Sequence, residues 1–234
     1  MKKEEKKGQQ NHQDDFVNEF LKNNEYEYID NHTLLFIVRN RQQETVGERA
    51  ALKILEQTPN NYQLTEVIRW ISSPKIKKQA ALMLLNNNPT NEQLICVIEW
   101  VEDPVIKEEA ARRVLDQNPT NNQLRPIIIE VKKLSDKAGW TMYNQHPDLN
   151  DLCFLIEWTE TFRVMAANRV LRRYSELSIK TIQLIMERVP ELIEKSWSVY
   201  LKNNPTYAEL EWVVKHVKDP KVREEAEDLL GLVD

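Results

Sequence analysis

The sequence predicts an all-α solenoid made of short helix pairs. Three observations predict it: a tandem repeat of about 30 residues, helical spacing of apolar residues inside each repeat, and only four glycines in 234 residues. The repeat is carried by two blocks. Asn88-Pro89-Thr90-Asn91-Glu92-Gln93-Leu94 returns as Asn118-Pro119-Thr120-Asn121-Asn122-Gln123-Leu124. It stands earlier as Thr58-Pro59-Asn60-Asn61-Tyr62-Gln63-Leu64 and later as Asn204-Pro205-Thr206-Tyr207-Ala208-Glu209-Leu210. The second block begins at Ser73, Asp103 and Asp219, in each case followed by Pro and then a helical apolar pattern; weaker copies occupy 47–55, 135–143, 163–171 and 193–201. Prolines 59, 89 and 119 are 30 residues apart, and 119 to 147 is 28. The divisions are 29–58, 59–88, 89–118, 119–146, 147–174, 175–204 and 205–234, seven units of 28–30 residues.

Each unit starts with a capped helix. Thr90-x-x-Gln93, Thr120-x-x-Gln123 and Thr206-x-x-Glu209 are capping boxes, in which the hydroxyl takes a free backbone N–H and the third residue reaches back. Leu94, Val97, Ile98 and Val101 then recur at i, i+3, i+4, i+7 and make one apolar face. Asp103-Pro104 stops that helix and starts the next, with Asp as N-cap and Pro at the first helical position. Ile106, Ala110, Val114 and Leu115 form the second apolar face, and Gln117-Asn118-Pro119 ends it. Helices of about three turns are marginal alone, so packing between neighbours has to supply the stability.

Ala50, Ala80, Ala110, Ala138, Ala166, Ser196 and Ala226 occupy one equivalent position. A small residue there in every unit implies that two helix backbones approach closely. The units have two subtypes. Nine residues separate Val101 from Ala110, but only seven separate Val131 from Ala138, Thr159 from Ala166 and Val189 from Ser196. The shorter connection is expected to change the local curvature or twist. Ahead of the array, Phe16, Val17, Phe20 and Leu21 suffice for an N-terminal capping helix within 14–28, and residues 1–13 read as a disordered charged tail.

Asp103-Pro104-x-Ile106-Lys107-x-x-Ala110-Ala111-x-x-x-Leu115 and Asp219-Pro220-x-Val222-Arg223-x-x-Ala226 resemble HEAT-like repeats of the short, phycobilisome-lyase type. The resemblance covers the second, third and seventh units well and the others by position. It implies that the Asp-Pro helices form the outer, convex layer and that the helices opened by the Pro-Thr blocks line the concave side. It also implies a structural role near the turns for the basic column Lys77, Lys107, Arg163 and Arg223.

On the first helix of each unit, positions two, five and six after the Leu are expected to face away from the core stripe. The first column reads Phe36, Glu66, Cys96, Pro126, Phe154, Leu184, Trp212; the second reads Arg39, Arg69, Glu99, Ile129, Glu157, Glu187, Lys215; the third reads Asn40, Trp70, Trp100, Glu130, Trp158, Arg188, His216. Trp and Arg are enriched at binding hot spots. The expected contact residues are therefore Phe36, Arg39, Arg69, Trp70, Glu99, Trp100, Phe154, Glu157, Trp158, Arg188, Trp212 and Lys215. The competing expectation is that the tryptophans wedge between successive first helices and complete the core.

Composition narrows the function. Net charge is −5, from 32 basic and 37 acidic residues, which argues against a general nucleic-acid binder. Charge alternates along the array: 59–88 is +3, 89–118 is −4 and 205–234 is −4. Alternating patches suit a specific protein partner better than a phosphate backbone. His12, His32, His146 and His216 occupy different repeat positions, and no metal, nucleophile-elbow or phosphate-loop motif occurs. Cys96 and Cys153 are isolated and read as small core residues. The purely apolar runs 34–38 and 94–98 are five residues each, far short of a membrane span, and neither a signal sequence nor a span is expected.

The expectation is thus a right-handed α-solenoid occupying 29–234. It acts as a non-catalytic, cytoplasmic scaffold that holds a peptide or partner protein on its inner helices, with no cofactor and no metal. The family resemblance leaves two alternatives. One is a DNA-binding or DNA glycosylase-type enzyme using Trp100 with Glu99 or Glu130 and Arg69. The other is a chaperone-like or chromophore-lyase adaptor.

Overall fold

A computed structural model describes residues 29–40, 45–174, 177–201 and 205–231; the expected tail and capping helix lie outside the described residues. The described residues form fourteen α-helices and one 3-10 turn, with no strand among them. They divide into two compact units, with the division along the chain between Pro119 and Thr120. The first unit holds α1 (Asn31–Asn40), α2 (Thr45–Glu56), α3 (Asn61–Trp70), α4 (Pro74–Leu85), α5 (Asn91–Trp100) and α6 (Pro104–Asp116). The second holds α7 (Asn121–Glu130), α8 (Lys132–Asn144), α9 (Leu149–Trp158), α10 (Arg163–Arg173), α11 (Ile179–Arg188), α12 (Ile193–Leu201), α13 (Tyr207–His216) and α14 (Pro220–Gly231). No helix of the described residues is long and apolar enough to cross a membrane.

Consecutive helices pack as pairs: α1 with α2, α3 with α4, α5 with α6, α7 with α8, α9 with α10, α11 with α12 and α13 with α14. In the first unit the first helices also pack on one another, α1 on α3 and α3 on α5, while α2 packs on α4 and α4 on α6. In the second unit α9 packs between α7 and α11, and α10 packs on α12. The inner first helices α3 and α9 therefore each pack against at least three other helices, which offsets the cost of ordering a segment too short to persist alone.

The caps follow the sequence signals. The Thr90 and Thr120 boxes form, joined by an Asn60 box with Gln63 and an Asp148 box with Asp151. At Thr206 the chemistry differs in detail, because the Glu209 carboxylate accepts from both the Thr206 amide and hydroxyl, each at 2.8 Å. Asp103 Oδ1 accepts from the Val105 and Ile106 amides at 3.0 and 3.2 Å. Lys78 Nζ, 2.7 Å away, and these amides hold its carboxyl below the ordinary aspartate value. In the six first helices from α3 to α13 the last residue of the buried stripe is not helical. Ile71, Val101, Val131, Thr159, Val189 and Val217 are the C-caps, and all are buried.

The alanine column is as expected: Ala50, Ala80, Ala110, Ala138, Ala166, Ser196 and Ala226 are all 0% exposed. The next position is also small and buried in five helices, at Ala51, Ala81, Ala111, Gly139 and Ala167. At Gly139 a Cβ would lie 2.8 Å from the Phe162 ring. The sixth residue in that series is Trp197, 1% exposed, on a helix entered through the 3-10 turn Pro190–Leu192. The short connections of the second unit take three forms: one residue before α8, four before α10, and this turn before α12.

Polar side chains tie the layers. Asn61 Nδ2 donates to the Asn87 carbonyl at 3.0 Å and to Gln93 Oε1 at 3.2 Å, and Asn91 Nδ2 donates to the Gln117 carbonyl at 3.5 Å. Along the second helices, Arg113 of α6 donates to the Leu85 carbonyl ending α4, and Arg169 of α10 donates to the Tyr143 carbonyl of α8 at 2.7 Å. A guanidinium on an unpaired C-terminal carbonyl is favoured by both hydrogen bonding and the helix dipole.

Four second helices end through a residue in the left-handed region: Thr58, Asn88, Asn118 and His146, with φ of 48–55°, each just before proline. Asn tolerates this region and a β-branched residue does not. Thr58→Asn, which copies the two sister sites, is expected to stabilise the first unit by about 0.5–1 kcal/mol. A higher urea midpoint with unchanged slope is the readout.

Candidate interaction face on the first helices

The second and third columns face solvent as the spacing predicts. Arg39, Arg69, Glu99, Ile129, Glu157, Glu187 and Lys215 are all exposed; so are Asn40, Trp100, Glu130, Trp158, Arg188 and His216, while Trp70 is half-buried. The first column departs from the expectation. Phe36 is exposed, but Glu66 and Cys96 are buried at 5% and 3%. Glu66 is covered by the side chains of Arg39, Arg69 and Trp70, all of which bond to it.

Glu66 organises the face of the first unit. Its Oε2 accepts from Arg39 Nε of α1 at 2.6 Å and from Trp70 Nε1 at 3.1 Å, and its Oε1 accepts from Arg69 Nη1 at 3.4 Å. Arg39 also donates to the Tyr62 hydroxyl, with its guanidinium 5.9 Å from that ring. One buried carboxylate thus fixes three of the expected contact residues. Cys96 of α5 is buried as well, its Sγ 3.8 Å from the Thr65 carbonyl of α3. Burial pushes its thiol up to about 11, which suppresses thiolate chemistry. Trp100 is 45% exposed, with Lys77 Nζ 5.5 Å from its ring.

In the second unit Phe154 and Trp158 stack on α9, centroids 6.2 Å apart, and Trp158 is 49% exposed. The Arg125 guanidinium of α7 lies 5.0 Å from the Phe154 ring and donates to Asp151 Oδ1 at 3.0 Å. Asn121 Nδ2 donates to Asp151 Oδ2 at 2.7 Å. Beside them a polar recess of about 820 Å³ opens between the N-terminal halves of α7 and α9, with Glu157 at its rim. Trp212 stacks on His216, centroids 4.8 Å apart, and is half-buried.

Several expectations need correction. Trp100 and Trp158 are not wedges that complete the core; the buried tryptophan is Trp197, whose helix meets its neighbours with a large residue where its sisters are small. Cys153 is half-buried rather than core, because it sits on the flank of α9 at the recess, and burial raises its thiol while a Thr181 hydrogen bond lowers it. Of the basic column, Arg163 does bond near a turn, to the Ile156 carbonyl at 3.0 Å, whereas Lys77 lies on Trp100. The spacing argument missed Glu66 as an anchor and Tyr62 as a partner. The signal was present as Glu66-x-x-Arg69-Trp70, an i, i+3, i+4 set on one helix. Compared with known proteins, this chain matches no family, no curated protein and no solved structure.

Proposed function

We propose that the chain is a non-catalytic protein-interaction scaffold of HEAT-like helix pairs, which takes a peptide or partner protein on the exposed face of its first helices. The observation that carries this reading is the exposure of Trp100 and Trp158 at one repeat register, 45% and 49%, in a fold that had the opportunity to bury them. An indole left in water forgoes a transfer free energy of about 25 cal/mol per Å², and a partner that covers it recovers this. The lattice around Glu66 supports the reading too. Arg39, Arg69 and Trp70 are held before any partner arrives, so less side-chain entropy is lost on binding. Charged neighbours of both signs, Arg69 and Glu99 in one unit and Glu157 and Arg188 in the other, supply orientation and selectivity.

The test is the paired variant Trp100→Gln/Trp158→Gln in affinity capture from the native host. The expected result is an unchanged helical spectrum, a melting midpoint within about 2 °C of wild type, and loss of the captured partner. Retention of that partner by the variant overturns the reading.

A further inference from the structure

A second surface stands out on the other helix layer, because it breaks the repeat. Two and one residues before the alanine column, the second helices carry exposed or half-exposed polar pairs: Glu48-Arg49, Lys78-Gln79, Glu108-Glu109, Asp136-Lys137, Glu194-Lys195 and Glu224-Glu225. Helix α10 alone carries Val164-Met165, 39% and 41% exposed. Six and seven residues after the column, the four units before α10 carry Glu56-Gln57, Asn86-Asn87, Asp116-Gln117 and Asn144-Gln145, and the two after it Lys202-Asn203 and Leu232-Val233; α10 carries two adjacent cations, Arg172-Arg173. The alanine column itself is kept, so the packing face of α10 is ordinary and only its outward face has changed. Nothing in the stacking requires the change.

These substitutions converge on one concavity. A groove of about 510 Å³ is lined by Val164, Met165, Arg169, Arg172 and Arg173, together with Tyr143 of α8. No acid lines it, in a chain whose net charge is −5. Arg169 is held in place by its bond to the Tyr143 carbonyl and by its guanidinium 3.5 Å from the Tyr143 ring, which leaves further N–H donors unspent. Arg172 is exposed and forms no ion pair among the described residues. Lys195 of α12, with Nζ 2.7 Å from Asn168 Oδ1, adds a fourth cation at the edge.

We propose that this groove binds an acidic amphipathic segment of a partner protein, with carboxylates on Arg172 and Arg173 and an apolar side chain on Val164 and Met165. Charge complementarity selects the acidic partner, and the apolar pair selects a peptide over a nucleic acid. A phosphate backbone needs a run of cations and gains nothing from an aliphatic centre. The site lies apart from the first-helix face and does not depend on it.

The experiment is fluorescence anisotropy of the full chain with a labelled 16-residue peptide of Glu and Leu in helical amphipathic order. The controls are the same peptide with Leu replaced by Ser, a Lys-for-Glu peptide, and a 16-base-pair DNA duplex. Two variants use only residues that the repeat already places at these registers: Val164→Glu/Met165→Lys and Arg172→Asp. The expected result is micromolar binding of the Glu-Leu peptide alone, weakened at least tenfold by either variant and by raised salt, with helicity and melting midpoint unchanged. Binding is expected to be the same in Trp100→Gln/Trp158→Gln. Absence of binding, binding indifferent to both groove variants, binding lost in the tryptophan variant, or tighter binding of the duplex would each overturn the proposal.

Discussion

Trp197→Ala is expected to destabilise the second unit by about 3–5 kcal/mol, the range for emptying a buried aromatic site. The substitution is informative because alanine is what the repeat itself holds at that register, in Ala51, Ala81, Ala111 and Ala167. If α12 packed as its sisters do, alanine would be accommodated. It does not pack so: the indole is 1% exposed, its ring centroid lies 5.8 Å from that of Tyr200, and the helix is entered through a 3-10 turn rather than an Asp-Pro cap. Neighbours arranged around an indole cannot close over a methyl group, and the void remains. Trp100→Ala is the matched control, expected to cost about 1 kcal/mol or less because nearly half of that side chain is already in water. Urea unfolding of both variants decides the point. Equal costs would mean that the assignment of one tryptophan to the core and the other to the surface is wrong.

Ala110→Leu is the second large effect. Ala110 is 0% exposed in the middle of α6, where α4 and α5 both pack against that helix. Three extra heavy atoms have nowhere to go unless the helices separate, and a separation would also pull Arg113 from the Leu85 carbonyl. The expected loss is about 2–3 kcal/mol, near the top of the overpacking range. Arg112→Leu two residues on, on the exposed side of the same helix, is expected to change stability by about 0.5 kcal/mol at most. Ser196 shows what the column tolerates: its hydroxyl fits only because it turns back to the Leu192 carbonyl at 2.7 Å. An unchanged denaturation midpoint for Ala110→Leu would contradict close stacking of the helix layers.

Much of this was legible in the residues because the determinants are local. A Thr three residues before a Gln, a Pro after an Asp, and apolar residues at i, i+3, i+4 act within one turn of chain. The alanine column was legible for a different reason: the same restriction recurs in every unit, so repetition stands in for the missing tertiary view. The exposed second and third columns followed from helical geometry alone.

What escaped the sequence depended on neighbours from other helices. Whether Glu66 is a solvated charge or a buried anchor turns on Arg39, 27 residues earlier, reaching over it from α1. Periodicity places both on outward faces and is silent on which covers which. The fate of each tryptophan was likewise undetermined, since a residue at the margin of an apolar stripe is core or surface according to how closely the next helix approaches. The order of the residues determined a series of capped, paired helices with small residues where backbones meet. Only the packed structure decided which large side chains fill gaps and which are left in water, because that depends on distances between segments that local rules do not set.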